Sequence, residues 1–327
     1  MSTSHGMTLT QGAAASRIVG FGSTQPDHVV TNDDLAKVMD TNDQWIQERV
    51  GIVERRFAAK DEMLVDMAVQ AGKNALADAG NAPSEIDTLI LPNCTMPTQI
   101  PNAAAQVADR IGIPAPGAFD INAACAGFCY GLGLASDLIR AGSAGNVLVI
   151  GAEKLTDSVD PTDRANAIIF ADGAGAAVVG PASEPGVGPV TWGSAGDMVD
   201  TIYMRDDRYI YQEGQAVFRW ATTKIAPVAK EAVTRAGLQL ADIDVLVPHQ
   251  ANLRIVESIA KKLRSEGARD DMVVADDIRY SGNTSSASIP LAIDHMRRQG
   301  SVRPGDAVLM VGFGAGLSYA GQVVIAP

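Results

Sequence analysis

Hydrophobic residues along this chain come in short, dense runs. Thr88 to Leu91, Val147 to Ile150, Val245 to Val247 and Val308 to Val311 are almost wholly apolar and rich in Val, Ile and Leu. Runs this short, with no polar alternation, suit strands covered on both faces. Between them lie stretches with helical character that close on Ala-Gly, as at Ala79-Gly80 and Ala236-Gly237, where glycine ends a helix. The alternation predicts an α/β protein with buried strands.

The pattern also repeats. Lys73 to Leu89 overlays Lys230 to Leu246 at a constant offset, matching Lys73/Lys230, Ala75/Ala232, Ala79/Ala236, Gly80/Gly237, Ile86/Ile243, Asp87/Asp244 and Leu89/Leu246. The same offset takes Asp120-Ile121 onto Asp277-Ile278, and a slightly larger one takes Val147-Leu148 and Gly151 onto Val308-Leu309 and Gly312. Two halves therefore repeat one helix-strand-strand plan. The Pro/Gly-rich stretch Ser183 to Pro189 reads as the connector. The expected organisation is a loose tail over 1–15, a first half over 16–185 and a second over 186–327. Corresponding strand ends should meet near a pseudo-twofold axis, placing the turns that hold Cys125 and Asn283 opposite one another with His249 beside them.

Composition narrows the function. The chain has 327 residues, 46% of them hydrophobic and 20% charged, enough for a large buried core. The first fifteen residues lack the features of a signal or transit peptide, and no apolar run reaches the length of a membrane span. A soluble, cytoplasmic protein is expected. A net charge of −12 disfavours nucleic acid and anionic membrane as partners. The three cysteines, Cys94, Cys125 and Cys129, leave at least one free thiol, and no histidine near Cys125 and Cys129 completes a zinc set, so no metal is expected.

Cys125 follows a strand-like Phe119 to Ala124 and opens a helical stretch from Ala126 to Ala141. A thiol at a helix N-terminus is expected to have a lowered pKa, and its small neighbours leave room for a thioester. A free cysteine is nevertheless more often a small buried hydrophobe than a nucleophile. His249 stands at the end of the Val245 to Pro248 run and before the polar Gln250 to Arg254, where it could also merely cap a helix. Asn283 lies among small hydroxyl residues from Ser281 to Ser288, which also suits a simple Asx-turn. One Cys, one His and one Asn at corresponding strand ends make a stronger case together than apart. Gly312 to Gly316 lacks the third glycine of a dinucleotide fingerprint and better serves as a backbone donor to a thioester oxygen. Asp172 to Ala176 lacks the Lys-Ser/Thr of a phosphate loop and reads as structural. Trp45 and Arg49, one turn apart after the capping Thr41 to Asp43, suit a base and a phosphate, or plain surface packing.

These residues resemble a known family. Asp43-Gln44-Trp45-Ile46, Ala123 to Phe128, Asp160 to Arg164, Pro248 to Asn252, Gly282 to Ser285 and Gly312 to Gly316 are similar to the β-ketoacyl-acyl-carrier-protein synthases III, over Arg17 to the C-terminus. The resemblance implies a thiolase-like fold of five αβαβα layers and a homodimer. It implies a decarboxylative condensation of an acyl-coenzyme A primer with malonyl-acyl carrier protein, with coenzyme A a substrate and no cofactor. It implies that Cys125 is acylated, that His249 and Asn283 assist malonyl decarboxylation, and that the N–H groups of Cys125 and Ala315 hold the oxyanion. It places coenzyme A on Trp45, Arg49, Arg164, Gly214 and Asn252, and Ile100 at the end of the acyl pocket, across the dimer interface. Two features depart from the family: Ala165 follows Arg164 where glycine is common, and Thr201 to Glu213 is short. Asn283 separates the chain from elongating condensing enzymes and thiolases, which resemble Cys-His-His and Cys-His-Cys. A polyketide-priming ketosynthase or an acyltransferase using the same acyl-Cys125 is the alternative. Arg219, Arg254, Lys261 and Lys262 are the expected docking patch for an acidic carrier.

Overall fold

The computed structural model describes residues 7–206 and 208–327. The first half holds strands β1 (Ala15–Thr24), β2 (Val29–Thr31), β3 (Glu54–Arg56), β4 (Thr88–Pro92), β5 (Gly117–Ile121), β6 (Val147–Lys154) and β7 (Asp172–Ala182). Its helices are α1 (Asn32–Ala36), α2 (Asp43–Val50), α3 (Leu64–Ala79), α4 (Ala103–Ile111), α5 (Gly127–Ala141) and α6 (Arg164–Ala167). The second half holds β8 (Thr191–Ser194), β9 (Ile202–Arg205), β10 (Tyr209–Gln212), β11 (Val245–Pro248), β12 (Val273–Val274), β13 (Ala307–Gly314) and β14 (Ser318–Ile325). Its helices are α7 (Gly214–Arg235), α8 (Leu253–Ser265), α9 (Ile278–Ser281) and α10 (Ser288–Arg298).

The four apolar runs become β4, β6, β11 and β13, every residue of which is buried. They form the middles of two five-stranded sheets, β1-β7-β6-β4-β5 and β8-β14-β13-β11-β12, whose strand orders correspond one to one. The parallel register is also repeated, with Thr88 opposite Val147 in one sheet and Val245 opposite Val308 in the other. Because successive side chains on a strand face opposite ways, each run feeds two cores. Val147 and Val149 of β6 and Val308 and Met310 of β13 join Phe128 and Leu132 of α5 and Ile289 and Ile293 of α10 in a central core. Leu148 and Ile150 instead pack under α3 and α4, while Leu309 and Val311 pack under α7 and α8. The result is five layers: outer helices, sheet, the central α5 and α10, sheet, outer helices.

The halves differ from the expected correspondence at one place. Asp277-Ile278 does not end a strand as Asp120-Ile121 does; β12 is two residues long and Ile278 opens α9. The register slips across this segment, and Asn283 therefore corresponds to Asn122 rather than to the Cys125 turn itself. Both asparagine side chains accept the backbone N–H two residues on, Ala124 at 3.1 Å and Ser285 at 2.9 Å. Both acceptor turns put a non-glycine residue at positive φ, 45° at Ala124 and 50° at Ser285. Each continues through one 3-10 turn into a central helix. The counterpart of Cys125 is Ser286.

The strands of the first five-stranded sheet all end by Ala182 and those of the second all start at or after Thr191, while β2-β3 and β9-β10 pair as separate two-stranded ribbons. Of the expected tail, residues 1–6 lie outside the described residues. Ala13 already donates its N–H to Ile139, and β1 starts at Ala15.

Candidate active site

Cys125 occupies the elbow between β5 and α5. Holding Ala124 at φ 45° costs on the order of 1 kcal/mol and turns the chain sharply enough to present the next side chain to the space between the sheets. Gly314 of β13 closes on it from the other half. A Cβ there would lie 2.7 Å from the Cys125 nitrogen and 3.0 Å from its Sγ, so only glycine leaves the space beside the thiol open. The expected lowering of the thiol pKa is not what the structure shows. Burial pushes Cys125 up to about 12, with the Ser285 hydroxyl opposing and the Glu153 carboxylate reinforcing the rise. Desolvation outweighs the helix terminus, and the thiol is protonated at neutral pH.

His249 is delivered by β11, and only 2% of it is exposed. Its Nδ1 lies 2.7 Å from the Ser288 hydroxyl, the first residue of α10, and its ring meets Phe313 edge-on at 5.3 Å. Burial pulls its pKa down to about 3, so the imidazole is neutral. Proximity to the N-terminus of α10 disfavours a cation in the same sense. With Nδ1 held by Ser288, Nε2 is the nitrogen left for a ligand. Asn283 is 3% exposed, and its carboxamide oxygen is committed to the Ser285 N–H. Its NH₂ group is what remains to donate.

Cys125, His249, Asn283 and Ala315 all line one cavity of about 200 Å³ whose wall is otherwise largely apolar, with Leu155, Phe170, Ile210 and Phe313. A second, outer cavity of about 580 Å³ is lined by Trp45, Arg49, Gly214, Asn252, Arg219 and Arg254. Gln212, Val217 and Ala251 line both, so the two cavities adjoin. Within the short Thr201 to Glu213 stretch, β9 and β10 pair antiparallel, and Ile202, Met204 and Gln212 wall the inner cavity.

At the outer rim, α2 begins with Asn42 capping the Trp45 N–H at 2.8 Å, which places Trp45 and Arg49 on one face as expected. Arg164 stacks directly on the indole, 4.6 Å from the ring centroid, and Arg49 lies at 5.1 Å. A base held between Trp45 and Arg164 needs two contacts of about 3.5 Å, roughly 7 Å in all. The slot is therefore closed in this conformation, with Arg164 also bonded to the Asp40 carbonyl at 2.6 Å. Asn252 caps α8 and donates to the Arg49 carbonyl at 3.1 Å, tying the two walls together. Lys261 and Lys262 lie further along α8, with Lys262 paired to Glu266 at 3.0 Å. Ile100 stands apart: it is 90% exposed and does not line the inner cavity of its own chain.

Comparison with known proteins agrees with this geometry. Residues 119–196 match the family described as 3-oxoacyl-[acyl-carrier-protein (ACP)] synthase III, and residues 233–325 match its C-terminal part. A β-ketoacyl-[acyl-carrier-protein] synthase III of Streptomyces coelicolor is 48% identical over 95% of this chain and 99% of its own. The chain belongs to the 3-oxoacyl-[acyl-carrier-protein] synthase III family. A mycobacterial β-ketoacyl-[acyl-carrier-protein] synthase III from Mycobacterium avium is 44% identical over 98% of each chain. Among solved structures, the priming β-ketosynthase of the R1128 polyketide pathway superposes with a TM-score of 0.93 at 40% identity, covering 97% of this chain and 98% of its own. The 3-oxoacyl-[acyl-carrier-protein] synthase III of Aquifex aeolicus gives 0.90 at 38%, covering 95% and 100%. The fold is thus thiolase-like, and the chain is an acyltransferase-type condensing enzyme of fatty-acid synthesis.

The structure also adds residues to this synthase III site that the sequence reading did not single out. The Ser285 hydroxyl lies 3.8 Å from the Cys94 sulfur, and both residues line the same cavity as Cys125. Glu153, 0% exposed, accepts hydrogen bonds from the Cys94 N–H at 3.0 Å, Thr95 at 2.6 Å and Ser286 at 2.9 Å. Ser288 orients His249. A signal was present for one of them: an acidic residue at the end of the apolar Val147 to Ala152 run is out of keeping with a buried strand.

Proposed function

We propose that this synthase III loads an acyl group from a coenzyme A thioester onto Cys125 and condenses it with malonate on acyl carrier protein. The products are 3-oxoacyl carrier protein, CO₂ and free coenzyme A. The observation that supports this most is the inner cavity joining Cys125, His249 and Asn283, which adjoins an outer cavity rimmed by Trp45 and Arg49.

In loading, Cys125 attacks the thioester carbonyl while the backbone N–H groups of Cys125 and Ala315 receive the developing oxyanion; as the old carbon–sulfur bond breaks, coenzyme A leaves with the bonding pair and takes up a proton in exchange for the one that Cys125 releases. In condensation, a neutral His249 and the Asn283 NH₂ donate to the malonyl thioester oxygen. Loss of CO₂ puts the electron pair into an enolate that these two donors stabilise, so no base is needed to create it. The enolate carbon attacks the acyl carbonyl, and the Cys125 sulfur departs. A His249 kept neutral by burial suits this donor role better than that of a charged acid.

The reading includes a homodimer and a cytoplasmic setting. Strand β5 ends the first sheet with one edge unpaired, a natural seam for a second copy, and the exposed Ile100 would then reach a partner's acyl pocket. Among the described residues no helix is long and apolar enough to cross a membrane.

The test is intact mass after incubation with acetyl- and butyryl-coenzyme A. Cys125→Ala should never gain acyl mass. His249→Ala and Asn283→Ala should gain it normally yet lose condensation by about 10² to 10³ each. Acylated Cys125→Ala, or normal condensation by both other variants, overturns the assignment.

A further inference from the structure

Arg55, the middle residue of β3, is 0% exposed, and burial lowers its pKa only to about 10, so a cation is sealed inside the protein. Its guanidinium is held by neutral acceptors alone: the Asn32 side-chain oxygen at 2.7 Å, the Ile168 carbonyl at 3.0 Å and the Val30 carbonyl at 3.3 Å. Its Nε has no partner among the described residues. Taking a cation out of water without a carboxylate beside it is costly, and an apolar side chain would fill the same space without that cost. The position therefore calls for a role that only the spread donors of a guanidinium fill.

The acceptors show what that role is. Ile168 follows α6 directly and lines the outer cavity with Ala165, Asn166 and Ile169. Asn32 carries the connection the other way. Its NH₂ group donates to the carboxylate of Asp43, the first residue of α2, at 2.8 Å, and to the carbonyl of Ile52, just past the end of α2, at 2.8 Å. Helix α2 puts Trp45, Arg49 and Val50 on the same cavity. One buried side chain thus bridges two walls of the outer cavity while lining neither cavity itself. Ile46, Val50, Ile168 and Ile169 also pack together beneath these walls, but apolar contact is non-directional and leaves their register to the hydrogen bonds.

We propose that Arg55 is a positioning residue for acyl loading, holding α2 and the segment after α6 at the spacing with which the outer cavity grips the nucleotide end of coenzyme A. The catalytic turn does not depend on it in the same way. Asn283 is tied to that segment by its own backbone, donating its N–H to the Ile169 carbonyl at 3.0 Å and accepting from the Ala171 N–H at 2.9 Å. Loss of Arg55 should therefore loosen the grip on coenzyme A and leave the chemistry at Cys125 intact.

The proposal rests on the outer cavity receiving coenzyme A, and two substrates keep the two claims apart. Acetyl-coenzyme A carries the nucleotide, whereas acetyl-pantetheine presents the same thioester without it. Both are compared by kcat and KM at saturating malonyl carrier. A wild type that handles them equally overturns the reading of the outer cavity, and this proposal with it. Given a wild-type preference for acetyl-coenzyme A, Arg55→Gln should lower kcat/KM for that substrate at least about tenfold, through KM, because small displacements of binding groups cost this much or more. Its kcat/KM for acetyl-pantetheine should stay within about twofold of wild type, since no group that meets the thioester has moved. Asn32→Asp keeps an acceptor for Arg55 but sets a carboxylate against Asp43 and loses both donations to α2, so it should show the same selective loss. A merely structural role predicts equal losses on the two substrates. Equal losses, or no loss on either, overturn the proposal. Should Arg55→Gln fail to fold, Asn32→Asp decides.

Discussion

The two elbows of this molecule share a backbone and differ in chemistry. Asn122 and Asn283 brace them alike, Ala124 and Ser285 carry the same strained φ, and Cys125 and Ser286 sit at the same point of the turn. What stands opposite each is different. Gly314 faces Cys125, and its counterpart Glu153 faces Ser286, bonded to the Ser286 hydroxyl at 2.9 Å. His249 and Ser288 form a polar pair at 2.7 Å, whereas their counterparts Pro92 and Gly127 meet in plain contact. One elbow is open to a cavity and the other is filled by a carboxylate. Duplication thus supplied two strained turns, and the side chains of the facing strands decided which could admit a thioester.

The comparison breaks most severely at Gly314. In Gly314→Ala the new Cβ would press on the Cys125 nitrogen and sulfur, so acyl loading should fall by more than about a hundredfold, with a stability loss of about 1–3 kcal/mol. Moving the thiol to the other elbow, as Ser286→Cys in a Cys125→Ala background, should restore no acylation, because Ser286 is 1% exposed and covered by Glu153. An acyl adduct in that double variant, read by mass, would show that the second elbow is open after all.

Much of this was legible in the sequence, and the omissions have physical causes. Apolar runs fixed β4, β6, β11 and β13 because strands buried on both faces admit little else, and the repeat announced two sheets of one plan. Cys125, His249 and Asn283 do meet in one cavity. The register slip near Ile278 was hidden because an Asp-Ile pair reads alike whether it ends a strand or opens a helix. The thiol pKa was misjudged because a helix terminus is visible in sequence, whereas desolvation depends on what the other half places on top. Ile100 could not be placed by one chain, since its side chain leaves that chain's own pocket. Glu153 was overlooked because its partners, Cys94, Thr95 and Ser286, are far from it in sequence.

A smaller effect sharpens the contrast between His249 and its uncharged counterpart Pro92. The His249 pKa of about 3 in the folded chain lies below its unfolded value of about 6.5, so the unfolded chain binds the proton first. Stability then rises with pH between 3 and 6.5 and is lost on acidification, by as much as about 5 kcal/mol. Glu153 and Asp172, both raised by burial, act in the opposite sense, so the decisive quantity is the difference between variants. Urea unfolding from pH 7 down to 4.5 should show a shallower loss in His249→Gln than in wild type. Parallel curves would mean that His249 takes up its proton without unfolding.

The smallest expected effect concerns the outer helices, where again the halves differ. On α8, Arg254 leans on the Phe218 ring at 5.2 Å at the rim of the outer cavity, and neither it nor Lys261 has an ion-pair partner among the described residues. Lys262 is held by Glu266, which Lys230 also contacts at 3.2 Å, so part of its charge is already balanced. On the corresponding side of the first half, α4 offers Arg110, paired with Asp66 at 2.7 Å. If an acidic carrier docks by charge, reversal should act in that order. Exposed charge contacts contribute about 1 kcal/mol or less, so Arg254→Glu should raise the KM for malonyl carrier about fivefold, Lys261→Glu about threefold and Lys262→Glu less than about twofold. Arg110→Glu should leave it unchanged. The increments should shrink as salt rises well above about 0.15 M, where the Debye length falls below about 8 Å. Steady-state kinetics with malonyl carrier varied at saturating acyl-coenzyme A reads this directly. A rise for Arg110→Glu equal to that for Arg254→Glu would place the carrier on no particular face and remove α8 as the docking helix.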